Sequence, residues 1–154
     1  GGNGYGSAAN QLYSPPGVAL DAAGNVFIAD SENHRIQKWA PGASEGTTVA
    51  GGNGRGSAAN QLYSPFGVAV DASGNVFIAD RYNNRIQKWA PGATTGTTVA
   101  GGNGKGSAAN QLNYPSGVAL DASGNVFIAD EDNHRIQKWA PGATTGTTVA
   151  GGND

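Results

Sequence analysis

The chain has 154 residues, of which only 13% are charged, and its formal net charge at pH 7 is −2. A charge this low and balanced excludes the basic surfaces that bind nucleic acids or charged membranes, so we expect neither partner. Cysteine is missing from the sequence, which excludes disulfides and thiolate chemistry.

A unit of 50 residues is written three times, and this repeat governs the interpretation of the whole chain. The copies 1–50, 51–100 and 101–150 align without a gap, and 39 of the 50 positions are identical in all three. Such near-identity indicates either recent amplification or deliberate design. Units of this size stack on their neighbours to bury their apolar faces. We therefore predict three successive units, 1–50, 51–100 and 101–154, in one continuous structure.

Each copy predicts four short strands separated by polar turns. In the first copy the predicted strands are Gly17–Leu20, Val26–Ala29, Arg35–Trp39 and Thr47–Ala50. The segment 21–25 supplies a tight turn, because its Gly-Asn pair tolerates positive φ. Helix signals are weak, although Ser7–Leu12 could form one helical turn before Pro15 ends it.

The strand pattern favours a β-propeller. Short strands with short turns are typical of an up-and-down antiparallel sheet, and Val26–Ala29 is apolar without alternation, which indicates burial on both faces. Such a sheet needs a neighbour on each side, and radial repetition of sheets provides both. A β-helix is the rival architecture, but its repeats are usually much shorter. We therefore predict an all-β protein with three four-stranded blades per chain.

Three linked motifs in every copy resemble the NHL repeat. In the first copy they are Pro15-x-Gly-Val-Ala-Leu-Asp21, Gly24-Asn-Val-Phe-Ile-Ala-Asp30 and Asn33-His-Arg-Ile-Gln-Lys-Trp39. The resemblance implies a four-stranded propeller blade, with six blades in the usual ring. The repeat here is longer than the family's usual spacing, and the extra length lies in the connection between blades. Some six-bladed rings that the family resembles are lyases and hydrolases.

Three blades leave one uncovered blade face at each end of the array. Within the chain, blade one packs on the face of blade two. Because the copies are alike, blade three of a second chain should pack on the face of blade one in the same way. Head-to-tail contacts of this kind close into a ring when the rotation permits. We predict a homodimer with six blades, and the alternative is a homotrimer with nine.

The positions that differ among the copies fall mainly on one predicted side of the sheets. Successive strands run in opposite directions, so the second-to-third turn and the connection between blades share a side, which carries seven of the eleven variable positions. Aromatic and charged side chains on such loops suit a ligand, although exposed loops also vary without selection. The candidate ligand-binding residues are Tyr5, Arg55, Lys105, Phe66, Arg81, Tyr82, Glu131 and Asp132. We expect Arg81 to be an exposed turn residue.

Two histidines are the weak candidates for a metal or acid–base site. His34 and His134 occupy equivalent turns, whereas the middle copy has Asn84 there. One interpretation is an enzyme with a histidine or metal site at the ring mouth. The other, which we favour, is a histidine that caps a turn where asparagine serves equally well. We therefore predict no catalysis, no metal and no cofactor.

Two further residues of each copy are expected to be structural. Asp30 should accept turn amides and pair with Arg35, because a single carboxylate is a poor cage for calcium. Trp39 and its equivalents should pack between blades rather than form a stacking platform.

Overall fold

The computed structural model describes residues 2–152, which form three four-stranded antiparallel sheets. Blade 1 contains β1 (Gly17–Leu20), β2 (Val26–Asp30), β3 (Arg35–Trp39) and β4 (Thr47–Gly51). Blade 2 contains β5 (Pro65–Val70), β6 (Val76–Asp80), β7 (Arg85–Trp89) and β8 (Thr97–Gly101). Blade 3 contains β9 (Pro115–Leu120), β10 (Val126–Asp130), β11 (Arg135–Trp139) and β12 (Thr147–Gly151). The all-β prediction with four strands per blade is confirmed. The ends of the predicted units at 1, 153 and 154 lie outside the described residues.

The strand bounds follow the predicted ones closely. In blade 1 the first and third strands are as predicted, and the second and fourth each gain one residue, Asp30 and Gly51. Both added residues pair with Arg35, one from each side of β3. The helical turn expected near Ser7–Leu12 is instead a single hydrogen-bonded turn, closed by the Gln11 N–H and the Ala8 carbonyl. The helices described within residues 2–152 are three-residue 3₁₀ turns, and none could cross a membrane.

The apolar core lies between blades. We call the forward face of a blade the set Phe27, Ala29, Ile36 and Ala50 with its equivalents. We call the backward face the set Leu12, Val18, Val26, Ile28 and Trp39 with its equivalents. The forward face of blade 1 packs on the backward face of blade 2, and blade 2 packs on blade 3 in the same way. The predicted packing role of tryptophan is confirmed, since Trp89 and Trp139 are each only 2% exposed in these two junctions.

Glycine sets the spacing of the innermost strands. A Cβ atom added at Gly17 would collide with the Phe66 carbonyl oxygen, and one added at Gly67 would lie 2.8 Å from the Ser116 carbonyl oxygen. At Gly117 the added atom would meet only the Ala129 Cβ, at 3.3 Å. The first two glycines therefore allow neighbouring blades to approach, and the third has no following blade within the chain.

A buried polar network holds each connection against its blade. The Asp80 carboxylate is fully buried and accepts hydrogen bonds from the Tyr63 N–H at 2.7 Å, Asn83 Nδ2 at 2.8 Å and Arg85 Nε at 2.7 Å. Burial raises the pKa of Asp80, and these donors oppose that rise. Asp30 and Asp130 accept hydrogen bonds from the equivalent donors, so the predicted structural role of the aspartates is confirmed.

Candidate ligand-binding surface on the loop face

The structure joins several predicted site residues across blades 2 and 3. We call the loop face the side that carries the β2–β3 turn, its equivalents, and residues 13–16 with theirs. Two nitrogens of Arg81 donate to the two carboxylate oxygens of Glu131, at 2.7 and 3.1 Å. The same guanidinium lies 4.6 Å from the ring centroid of Phe66 and 5.7 Å from that of Tyr114. Arg81, Phe66 and Glu131 therefore form one cluster.

The expectation that Arg81 is an exposed turn residue is wrong. Its side chain is only 19% exposed, because it reaches across the junction to Glu131 and stacks on Phe66. The bidentate contact lowers the pKa of the Glu131 carboxyl, so this partner stays ionised to more acidic pH than an isolated glutamate. One copy alone cannot predict this contact, because it joins equivalent positions of two copies, 50 residues apart in the chain.

Tyrosines extend this cluster. The Tyr82 ring lies 4.8 Å from that of Tyr63 and 5.4 Å from that of Tyr114, centroid to centroid. Arg55 lies over Tyr63 at 5.6 Å, and Lys105 lies over Tyr114 at 4.2 Å. Tyr82, Arg55 and Lys105 thus join the predicted surface. Tyr63 and Tyr114 were not among the predicted site residues, although both occupy variable positions, and this variability was the signal that could have identified them.

Two of the eight candidates lie apart from this cluster. Tyr5 is exposed on blade 1, where its ring pairs with that of Tyr13 at 5.2 Å. Asp132 is exposed on the turn after β10, and its backbone N–H donates to the Asn113 carbonyl oxygen. Both are on the loop face, so they belong to the predicted surface without contributing to its central cluster.

A cavity of about 390 Å³ opens on the loop face between blades 1 and 2. Its side-chain lining combines hydroxyls, a carboxylate, a guanidinium and two aromatic rings. The lining includes Ser14, Pro16, Ser31, Glu32, Ser64, Phe66, Arg81 and Tyr82. Glu32 is exposed there, whereas Arg81 is already paired with Glu131. The cavity therefore offers an acidic group beside aromatic walls, in a volume that suits a small polar ligand.

The histidine position connects neighbouring blades. His34 Nδ1 accepts the Ser64 backbone N–H at 3.1 Å, and Asn84 Oδ1 accepts the Tyr114 backbone N–H at 2.9 Å. Both residues end their turns in the left-handed conformation, with φ of 52° and 50°. The predicted equivalence of histidine and asparagine at this cap is confirmed. The hydrogen bond from the next blade to each side chain was not predicted from the sequence.

The environment of His34 favours its neutral form. Burial lowers the pKa of the imidazole, and the nearby cation of Arg55 lowers it further, while Glu32 and Asp80 oppose the shift. Within residues 2–152, His, Asp and Glu side chains form no group of three or more that could hold a metal ion.

The family model for the NHL repeat matches three segments of the chain, residues 12–39, 62–89 and 112–139. Together these segments make up more than half of the sequence. The chain belongs to the NHL-repeat family. The resemblance predicted from the three motifs is thereby confirmed. Each matched segment includes the first three strands of a blade, whereas the fourth strand and most of the connection lie outside it.

Solved structures share the fold at low sequence identity. A gluconolactonase from Xanthomonas campestris is 14% identical with a TM-score of 0.70, covering 93% of this chain and 49% of that one. A chain of a nidogen/laminin complex is 23% identical with a TM-score of 0.71, covering 92% and 50%. A streptogramin B lyase is 13% identical with a TM-score of 0.58, covering 94% and 42%. The chain thus spans half or less of each structure, and at these identities the likeness concerns the fold alone. A search of curated protein sequences found no match.

Proposed function

We propose that the chain is a self-assembling scaffold in which two copies join head to tail into one six-bladed NHL propeller. The loop face of the completed ring then binds a ligand or a protein. One observation carries this proposal: the two end faces of the chain reproduce the two halves of the junctions between its blades.

The backward face of blade 1 lacks the cover that its equivalents have. Val18 is 66% exposed, whereas Val68, which contacts blade 1, is 7% exposed. Trp39 and Ile28 are partly exposed, although both equivalents of each are buried. A depression of about 440 Å³ lies on this face, lined by Leu12, Val26, Ile28 and Trp39 among others. At the two internal junctions, the equivalents of these four residues pack against the forward face of the preceding blade.

The forward face of blade 3 is open in the complementary way. Phe127, Ala129 and Ile136 are partly exposed and Ala150 is exposed, whereas all their equivalents in blades 1 and 2 are buried. Burying both end faces against each other removes apolar surface from water at two junctions per ring, which favours association.

The test is the mass in solution. Light scattering should give twice the 15.4 kDa of one chain. Three times that mass would move the proposal to a nine-bladed trimer, and a monomer at every concentration would reject assembly.

Glycine substitutions supply a matched pair of variants for this test. Gly117→Ala should leave the chain folded but monomeric, because its added Cβ meets only Ala129 within the chain, whereas in the ring it would face a carbonyl of the partner. Gly67→Ala is the control, since its Cβ would lie 2.8 Å from the Ser116 carbonyl oxygen and should destabilise the chain itself. A fully dimeric Gly117→Ala variant would contradict the head-to-tail contact.

A separate experiment tests the binding face. Replacing Arg81 and Tyr82 together by alanine should abolish binding of any ligand found by screening while the oligomer mass stays unchanged. The control replaces Ser44 and Glu45 on the opposite turn. Retained binding in the first variant, with loss in the second, would show that the binding face is wrongly assigned.

The scaffold is further proposed to work without catalysis of its own. Histidine occurs in only two of three equivalent turns, where both residues cap their turns and His34 also contacts the next blade, and no acid–base set recurs. Stoichiometric zinc or calcium that survives dialysis would instead favour the alternative, a propeller enzyme with a histidine or metal site.

A further inference from the structure

In blades 1 and 2, the side chain of the last residue of the turn between the second and third strands accepts a hydrogen bond from the next blade. His34 accepts the Ser64 N–H through Nδ1, and Asn84 accepts the Tyr114 N–H through Oδ1. Both junctions inside the chain therefore contain the same hydrogen bond, with two chemically different acceptors. The donors share a left-handed backbone, with φ of 49° at Ser64 and 51° at Tyr114.

The acceptor and the donor of a third contact of this kind are present on the two end blades of the chain. His134 has φ of 52°, equal to that of His34, and is exposed on blade 3. Ser14 has φ of 55°, close to the values of Ser64 and Tyr114, and is exposed on blade 1. The acceptor and the donor thus already hold the conformations that they have at the internal junctions.

We propose that, in the dimer proposed above, His134 Nδ1 accepts the backbone N–H of Ser14 of the partner subunit, so that ring closure requires a neutral imidazole. A neutral imidazole has one acceptor nitrogen, whereas an imidazolium has none and donates from both nitrogens. Protonation of His134 would set its N–H against the N–H of Ser14 and leave both without a partner.

The size of the effect follows from the cost of an unsatisfied buried donor. Losing such a hydrogen bond weakens an equilibrium about tenfold. A head-to-tail dimer contains two equivalent junctions, so the dissociation constant should rise about a hundredfold when both histidines are protonated. The low pKa that burial gives His34 agrees with this, since the packed form of that junction favours the neutral ring.

In the dimer, the environment of His134 would include titratable groups from its own blade and from the partner subunit, at the positions that surround His34. On its own blade are Asp132, Glu131 and the Asp130–Arg135 pair. Facing it would be Asp30, Tyr5 and Tyr13 of the partner subunit, at the places where Asp80, Arg55 and Tyr63 face His34. The carboxylates favour the imidazolium, and the cation that opposes protonation of His34 has no counterpart because Tyr5 replaces Arg55.

These carboxylates respond to pH in the opposite sense. Ser31, Glu32, Arg81 and Tyr82 line one internal cavity, so at the ring junction Glu131 and Asp132 would lie near Glu32 of the partner subunit. Their protonation would relieve repulsion and tighten the ring as the pH falls. Weakening between pH 8 and 5.5 therefore distinguishes the histidine from the acidic residues.

The experiment measures the dimer dissociation constant of the full chain by analytical ultracentrifugation from pH 8 to 5.5. The dissociation constant of the wild type should rise by at least about tenfold and at most about a hundredfold over this range, because attraction between the carboxylates and the imidazolium offsets part of the loss. His134→Asn, which copies the Asn84 contact, should remain dimeric with a flat profile. His34→Asn, which alters an internal junction, should keep the wild-type dependence of dimerisation on pH.

The failures of this inference and of the ring proposal give different results. A wild-type constant that does not change with pH, or a His134→Asn variant that weakens as the wild type does, would overturn the role of His134 while the ring stands. Loss of the dimer at pH 8 in His134→Asn would also overturn it, because Asn84 already serves this position. A wild type that is monomeric at every pH would reject the ring itself.

Discussion

The internal junctions and the two end faces are built from the same residues, yet they differ in burial. Ile36 and Ile86 are fully buried at the internal junctions, whereas Ile136 on the end face is partly exposed. Trp89 and Trp139 are buried, and Trp39 is partly exposed. Burial of a side chain therefore depends on whether a neighbouring blade is present. In repeat proteins, the stability of the chain is accordingly the sum of contributions from each repeat and from each interface between neighbours.

The largest expected effect compares two tryptophans on the monomeric Gly117→Ala background. Trp89→Ala should lower the free energy of unfolding by about 3–5 kcal/mol, because it empties an internal junction. Trp39→Ala should cost clearly less, because that ring is already partly exposed. Urea denaturation measures both, and equal losses would contradict the difference between junction and end face.

Isoleucine gives the same comparison for the forward face, with a somewhat smaller effect. On the monomeric background, Ile86→Ala should lower the free energy of unfolding by about 2–5 kcal/mol, and Ile136→Ala should lower it by less. In the wild-type dimer the two losses should become similar, because the second chain covers Ile136. A gap that persists unchanged in the dimer would argue that the end face stays open.

Removing the Arg81–Glu131 contact should lower the free energy of unfolding by less than the Trp89→Ala or Ile86→Ala substitution does. Arg81→Ala removes a partly exposed ion pair and a contact with Phe66, and should cost about 1–2 kcal/mol. Glu131→Gln keeps the shape of the partner and should cost at most about 1 kcal/mol. Thermal melting in low and high salt measures both variants. A melting shift for Arg81→Ala equal to that for Trp89→Ala would contradict this order.

The smallest effect is the dependence of chain stability on pH through His34. Its pKa is lowered in the folded chain, so below about pH 6.5 the unfolded chain takes up the proton first and stability falls. His34→Asn should remove this loss, worth about 1 kcal/mol for one hydrogen bond. Melting of the monomeric background at pH 8 and 5.5 measures it. His134→Asn is the control, and it should leave the loss unchanged in the monomer.

Local signals made most of the fold predictable. The strand bounds in blade 1 agree within one residue because Gly24-Asn25 and the turn after Asp30 end strands through their own backbone preferences. The loop face was predicted from the variable positions, and Arg81, Phe66 and Glu131 do come together there. The partial burial of Arg81 and the tyrosine cluster could not be predicted, because each depends on contacts between blades, which no single copy contains.

The sequence by itself determined the repeat, the four strands of each blade and the family, because these follow from periodicity, turn residues and motifs within one copy. The tertiary structure decided which equivalent side chains are buried and which are open. It also decided that His34 and Asn84 accept a hydrogen bond from the following blade. The physical reason is that identical residues have different neighbours in the middle and at the ends of a stack, and burial and hydrogen bonding depend on those neighbours.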